Sequence, residues 1–173
     1  QHQLPAEVAS EATQTLREAR NRNAFLARAQ AALRLPIEVI SGREEARLIY
    51  AGVSHLQPSD SKRLVIDIGG RSTEMILGRG RVPTRAESFQ VGCVSLSMRY
   101  FPEGRFSAEA FRAAQVAAGA ELEEALAEFT PSRWHEALGS SGTAGAVSEV
   151  LAATGRTDGR ITPDGLRWLI GEC

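Results

Sequence analysis

Apolar residues recur at close to the helical period between residues 14 and 34, where Leu16, Ala19, Phe25, Leu26, Ala29 and Leu33 predict one amphipathic helix ended by Pro36. Residues 37–40 form a β-branched strand candidate, and Ser41-Gly42 turns the chain into a helix over 43–54 with Ala46, Leu48, Ile49 and Val53 apolar. A polar, proline-containing loop follows. Residues 63–68 then read as a buried strand with an acid, Asp67, inside it. Gly69-Gly70 turns the chain into a second strand over 73–77, so the pair predicts a hairpin, and 82–91 continues as a third extended segment. Residues 107–128 predict the longest helix, with Phe111, Val116, Leu122 and Leu126 on its apolar face. A short strand at 137–138 leads through Gly139–Thr143 to a helix over 144–153. Thr162 opens the last helix, with Pro163 at its first position. A helix–strand–helix followed by hairpin strands and then helices predicts a mixed α/β chain.

At 173 residues the chain has room for one domain or two small ones. Its 43% hydrophobic and 24% charged residues are those of an ordinary globular protein. The net charge of −1 argues against a general nucleic-acid partner. No apolar run is long enough to span a membrane and no positive-then-apolar leader is visible, so no membrane partner is expected. Cys93 and Cys173 are too few for a disulfide framework, and the expected setting is reducing and cytoplasmic. Every basic residue except Lys62 is arginine; that bias counts toward function only where an arginine stands in a motif. Trp134 and Trp168 read as core anchors and Cys93 as a buried small hydrophobe at a strand end. His55 and His135 lack metal-ligand spacing.

Four short segments could carry chemistry. In Asp67-Ile68-Gly69-Gly70-Arg71-Ser72-Thr73-Glu74, an acid ends a buried strand, two glycines let a ligand approach the backbone, and hydroxyls follow. Successive N–H groups in such a turn form an anion cradle, and the aspartate suits Mg²⁺, a hard cation that takes carboxylate and water. A hairpin turn with a capping acid is the plainer reading. Gly139-Ser140-Ser141-Gly142-Thr143 lies between a strand and a helix, where an anion could sit on the helix N-terminus or where the hydroxyls could merely cap it. Glu44 and Glu45 open a helix, as acids do for the dipole; one of them facing a cleft could instead act on water. Arg17 near a helix start could clamp phosphate or simply be solvated.

The four segments occur together and in order, and the chain resembles the exopolyphosphatase / guanosine pentaphosphate phosphohydrolase (Ppx/GppA) phosphatase family. The resemblance rests on TQTLREARNRNAFL, PIEVISGREEARLIYAGV, LVIDIGGRSTEMILG, VGCVSLSMRYFP and ALGSSGTAGAVSEVL, and runs over nearly the whole chain. It implies an α/β fold of ribonuclease H-like lobes, shared with actin, Hsp70 and sugar kinases, with the active site between two lobes. It implies Glu45 as the base that activates water, Asp67 and Glu74 as Mg²⁺ ligands, and Gly69, Gly70, Ser72 and Thr73 as the phosphate cradle. Ser141, Gly142 and Thr143 become the opposing loop and Arg17 a phosphate contact. The implied substrate is inorganic polyphosphate, releasing orthophosphate from a chain end, or guanosine pentaphosphate. A homodimer is compatible with an intact parent enzyme.

Two departures accompany the resemblance. The chain begins with Gln1, and the family's opening strand with its DLGSNS-type loop has no counterpart here. The resemblance therefore implies a central fragment, with residues 1–48 the end of a first lobe and 49–173 most of a second. Arg71 stands where the family usually has a third glycine, a position that often needs a left-handed backbone or close ligand approach. Two other readings remain at this point: a polyphosphate-binding fragment without catalysis, and an ATP-binding, kinase-like lobe. The second fits less well, because kinases of this fold usually employ Asp as base and this chain offers Glu45.

Overall fold

The computed structural model describes residues 10–172, and Cys173 lies outside them. Strand β1 (Ser10–Ala12) pairs in parallel with β2 (Ile37–Val39), and helices α1 (Gln14–Glu18) and α2 (Arg22–Leu33) connect them. Helix α3 (Gly42–Leu56) leads into a four-stranded sheet built from β3 (Lys62–Ile68), β4 (Thr73–Arg79), β5 (Val82–Phe89) and β6 (Glu136–Ser140). Between β5 and β6 come α4 (Cys93–Tyr100), α5 (Ala108–Glu121) and α6 (Glu123–Glu128); α7 (Ser141–Ala153) and α8 (Pro163–Glu172) follow. The strand order is β5-β4-β3-β6, with β3–β4 and β4–β5 antiparallel and β6 parallel to β3. This mixed α/β sheet, with its meander and parallel fourth strand, is the architecture expected of a ribonuclease H-like lobe. Among the described residues no helix is long and apolar enough to cross a membrane.

Both faces of this sheet are covered, and strand period decides which residues go where. Leu64 and Leu77 turn to one side and form a core with Phe89, Val91, Ala125 and Phe129. Val65 and Ile76 turn to the other side and pack under α3 through Ala46 and Tyr50. The pairing register puts Arg63 opposite Gly78, Val65 opposite Ile76 and Asp67 opposite Glu74, all on the α3 side. Tyr50 is fully buried, its ring lies where a side chain at Gly78 would have to be, and its hydroxyl donates to the Gly80 carbonyl. This contact fixes how α3 lies across the sheet, and with it the direction of the residues one turn toward the helix start.

The opposite end of that face holds a buried ion pair. Arg63 is 2% exposed and donates to Glu136 at 2.8 Å and to the Gln57 carbonyl at 2.6 Å. The hydrogen bond from Arg63 holds the Glu136 carboxyl below its ordinary range, with Ser59 adding to the effect against desolvation. Because that pKa is lowered in the folded chain, the stabilisation is present above the ordinary carboxylate range and is lost as pH falls through the lowered value. Glu136→Gln leaves a buried guanidinium without its counter-charge. Since Glu136 is 36% exposed, the expected loss is about 2 kcal/mol, below the ~3–5 of a fully buried pair. Urea unfolding at neutral pH measures it, and the variant's stability should also fall less steeply on acidification.

Three helical expectations change. The single helix over 14–34 is broken at Ala19, whose backbone is extended, so α1 and α2 are separate; none of α2 is fully buried, and Phe25 and Leu33 are exposed. The helix over 107–128 is interrupted at Leu122. Its buried positions are the small Ala114 and Ala125, while Val116 and Leu126 point to solvent, because close approach to neighbouring elements selects small side chains over large ones. Residues 93–100, which carried no element in the sequence reading, form α4, and Cys93 is exposed at its first turn rather than buried. Trp134 is half-buried against the first core and donates to the Phe129 carbonyl, whereas Trp168 lies half-buried under the Arg156 guanidinium, 4.4 Å from the ring centre.

Candidate active site

Strand period and hairpin register bring two acids together. Asp67 and Glu74 are direct partners across β3 and β4, so their side chains leave the sheet side by side at the end nearest the start of α3. Helix α3 supplies the third acid. Ser41 caps the helix by accepting from the Glu44 N–H at 3.2 Å. The two acids of the first turn then diverge: Glu44 bends back to Arg47, at 2.6 Å, and Glu45 turns to the sheet. Glu45, Asp67 and Glu74 line one cavity of about 320 Å³ together with Thr13, Thr15, Val94 and the loop from Gly69 to Ser72.

The loop is shaped by a helix that the sequence reading did not foresee. The Gly69 carbonyl accepts from the Cys93 N–H, and the Gly70 carbonyl accepts from Val94 and Ser95, so the loop satisfies the first-turn donors of α4. A peptide is planar and trans, so turning these carbonyls to α4 turns the N–H groups of Gly70 and Arg71 the other way. Among the described residues the N–H groups of Gly70, Arg71 and Ser72 meet no protein acceptor, which leaves a row of donors beside the acid cavity. Gly92 makes this close docking feasible: a side chain there would come within 2.5 Å of the Gly70 and Arg71 backbone. No residue from 69 to 71 has a positive φ, so Arg71 fits the third loop position without backbone strain.

The three carboxylates have different surroundings. Glu74 is almost fully buried and accepts from the Ser88 hydroxyl at 2.7 Å. Desolvation pushes its carboxyl upward, the Ser88 and Ser72 hydroxyls oppose this, and the neighbouring Glu45 and Asp67 charges add to it. Asp67 is 9% exposed and receives no protein hydrogen bond among the described residues. Glu45 uses Oε2 alone to receive both terminal nitrogens of Arg17, each at 3.1 Å, and leaves Oε1 free of protein partners among the described residues.

Of the residues singled out in the sequence, the cavity gathers Glu45, Asp67, Gly69, Gly70, Ser72 and Glu74. Arg17 sits behind Glu45 rather than on the cavity wall. Its guanidinium is engaged by Glu45, by the Ile40 carbonyl at 2.8 Å and by Gln14 at 2.7 Å. Thr73 is buried with its hydroxyl on the Val91 carbonyl, on the far side from the acids. Ser141, Gly142 and Thr143 begin α7 beside the end of β3, where Ser140 pairs with Asp67, but they do not line this cavity. Ser141 takes a left-handed backbone and donates to the Ile68 carbonyl at 3.0 Å. Sequence reasoning missed Gln14, Ser88 and Gly92. Only the glycine offered a signal, as a residue directly preceding a segment, 93–100, that holds a single charge, Arg99.

Among the described residues no group of three or more His, Cys, Asp or Glu side chains is arranged to enclose a metal ion. The donors still suit Mg²⁺. Asp67 offers a carboxylate with no protein donor on it, Glu74 stands beside it, and Mg²⁺ ordinarily takes one or two carboxylates and completes its shell from water and substrate phosphate.

The sequence profile of the Ppx/GppA phosphatase family matches residues 2–173. A Haemophilus influenzae protein that carries the provisional name exopolyphosphatase is 44% identical over 160 residues, covering 92% of this chain and 50% of its own length. The chain thus spans about half the length of that curated relative. The solved Aquifex aeolicus PPX-GPPA enzyme superposes with a TM-score of 0.67 at 26% identity, over 82% of this chain and 46% of that one. An exopolyphosphatase structure from Cytophaga hutchinsonii shares the fold with a TM-score of 0.76 at 24% identity, over 92% of this chain and 51% of the other.

Proposed function

The chain belongs to the Ppx/GppA phosphatase family, and from that membership we propose that its cavity serves the hydrolysis of terminal phosphoanhydride bonds in inorganic polyphosphate. The observation that carries the reading is the convergence of Glu45, Asp67 and Glu74 on a loop with three N–H donors that meet no acceptor among the described residues. A terminal phosphoryl group placed against Gly70, Arg71 and Ser72 has its charge offset by those N–H dipoles, which act most strongly as charge shifts in the transition state. Glu45 holds a water through Oε1 and takes its proton as the water attacks phosphorus; the phosphoanhydride bond breaks and orthophosphate leaves the chain end. Arg17 keeps Glu45 aimed at the cavity through Oε2. Asp67 and Glu74 would hold Mg²⁺, which when bound would supply further neutralisation of phosphate charge.

The intact protein, incubated with long-chain polyphosphate and Mg²⁺, is expected to release orthophosphate, and chelation of the cation is expected to stop the release. Guanosine pentaphosphate in a parallel arm ranks the two substrates. No orthophosphate from either substrate overturns the hydrolytic reading and leaves a phosphate-binding one.

A further inference from the structure

Three carboxylates line the acid cavity, and Arg71 is the one cation on its wall among the described residues. The other nearby guanidinium, Arg17, is fully engaged behind Glu45. Of the chain's own described groups at this wall, only backbone dipoles and Arg71 therefore favour a chain of linked phosphates entering past that negative charge. Arg71 is held loosely. Its Nη1 donates to Glu18 at 3.0 Å, both side chains are about half exposed, and its Nε and Nη2 have no protein partner among the described residues. Exposed pairs of this kind contribute little and are screened by salt, so a multivalent anion competes well with a single carboxylate. The backbone at this position is unstrained, so the side chain has not displaced a required glycine conformation; it adds a planar fork that suits phosphate oxygens.

We infer that Arg71 is the phosphate-recruiting side chain of this cavity, paired with Glu18 until a chain of linked phosphates enters and then transferred to that substrate. The inference rests on the cavity being a phosphate site, and it makes Glu18 a competitor of the substrate rather than a mere surface acid. A structural latch between Arg71 and Glu18 makes the contrary demand: loss of either partner then has the same consequence.

Calorimetric titration of the intact protein with tripolyphosphate separates the two. Arg71→Gly and the longer Arg71→Gln are each expected to weaken binding about tenfold, the loss of one charge-assisted contact. Glu18→Gln is expected to tighten it by roughly threefold, because a weak competing ion pair is removed. Raising salt from about 50 to about 300 mM should weaken the unsubstituted protein more than Arg71→Gly, since the screened charge is gone from the variant. Unchanged affinity in both Arg71 variants, weaker binding in Glu18→Gln, or no tripolyphosphate binding by the unsubstituted protein overturns the inference. If the unsubstituted protein binds tripolyphosphate with these shifts but releases no orthophosphate, the hydrolytic reading fails and the inference stands. If orthophosphate is released and the Arg71 variants bind unchanged, the inference alone fails.

Discussion

Replacing Glu45 by glutamine in the intact protein is expected to lower kcat for orthophosphate release by roughly 10²–10⁴, the scale of losing a positioned general base. Glutamine keeps the shape of the side chain and can still meet Arg17, which also retains Gln14 and the Ile40 carbonyl. The melting temperature should therefore stay close to that of the unsubstituted protein, and the loss should fall on kcat rather than on KM. The control lies one residue away. Glu44 stands on the same helical turn, but its carboxylate is turned to Arg47, whose hydrogen bond holds it below the ordinary range. Glu44→Gln is expected to leave kcat within about twofold, because a solvated helix-surface pair contributes little. Two variants that behave alike, or an effect carried by Glu44, would show that Glu45 is not the base.

Asp67→Asn is expected to cost two orders of magnitude or more in kcat, the scale of removing a preorganised electrostatic stabiliser. Asparagine fits the same space at the end of β3 and leaves the Leu64 and Val65 packing alone, so unfolding is not the expected cause. Its amide is neutral and a poorer partner for a hard cation, so the Mg²⁺ concentration needed for half-maximal activity should rise as well. Full activity with an unaltered Mg²⁺ requirement in the variant would rule Asp67 out of this role. Paired with the Glu45 result, the measurement separates the proton-accepting group from the charge-neutralising one, because only Asp67→Asn should shift the cation dependence.

Much of the site could be read along the chain because its parts are local. Two short runs joined by a two-glycine turn predict a hairpin that carries Asp67 and Glu74 near its turn, and the observed register makes them direct partners on one face. Five of the six strands overlap short extended segments that the sequence predicts; β1, only three residues long, offers no run to read. The helices fared less well. Residues 14–34 and 107–128 keep a helical period across Ala19 and Leu122, and nothing in periodicity marks where the backbone leaves the helix.

What the sequence by itself determined is the mixed α/β class, the β3–β4 hairpin with its glycine loop, and the family motifs that single out Glu45 from Glu44. These follow from side-chain period, turn chemistry and residue identity over a few positions. Only the tertiary structure decided that Arg17, 28 residues from Glu45, serves that carboxylate and not the open cavity. It also decided that Thr73 belongs to the packing of Val91, that Arg71 needs no glycine backbone and reaches Glu18, and that α4 turns the loop's N–H groups outward. Each of these depends on how far apart two elements come to rest, which is set by the bulk of side chains such as Tyr50 against Gly78 and by the absence of one at Gly92. Local pattern carries the orientation of a residue on its own element; close packing between elements, felt to a fraction of a side chain's volume, decides what that residue touches.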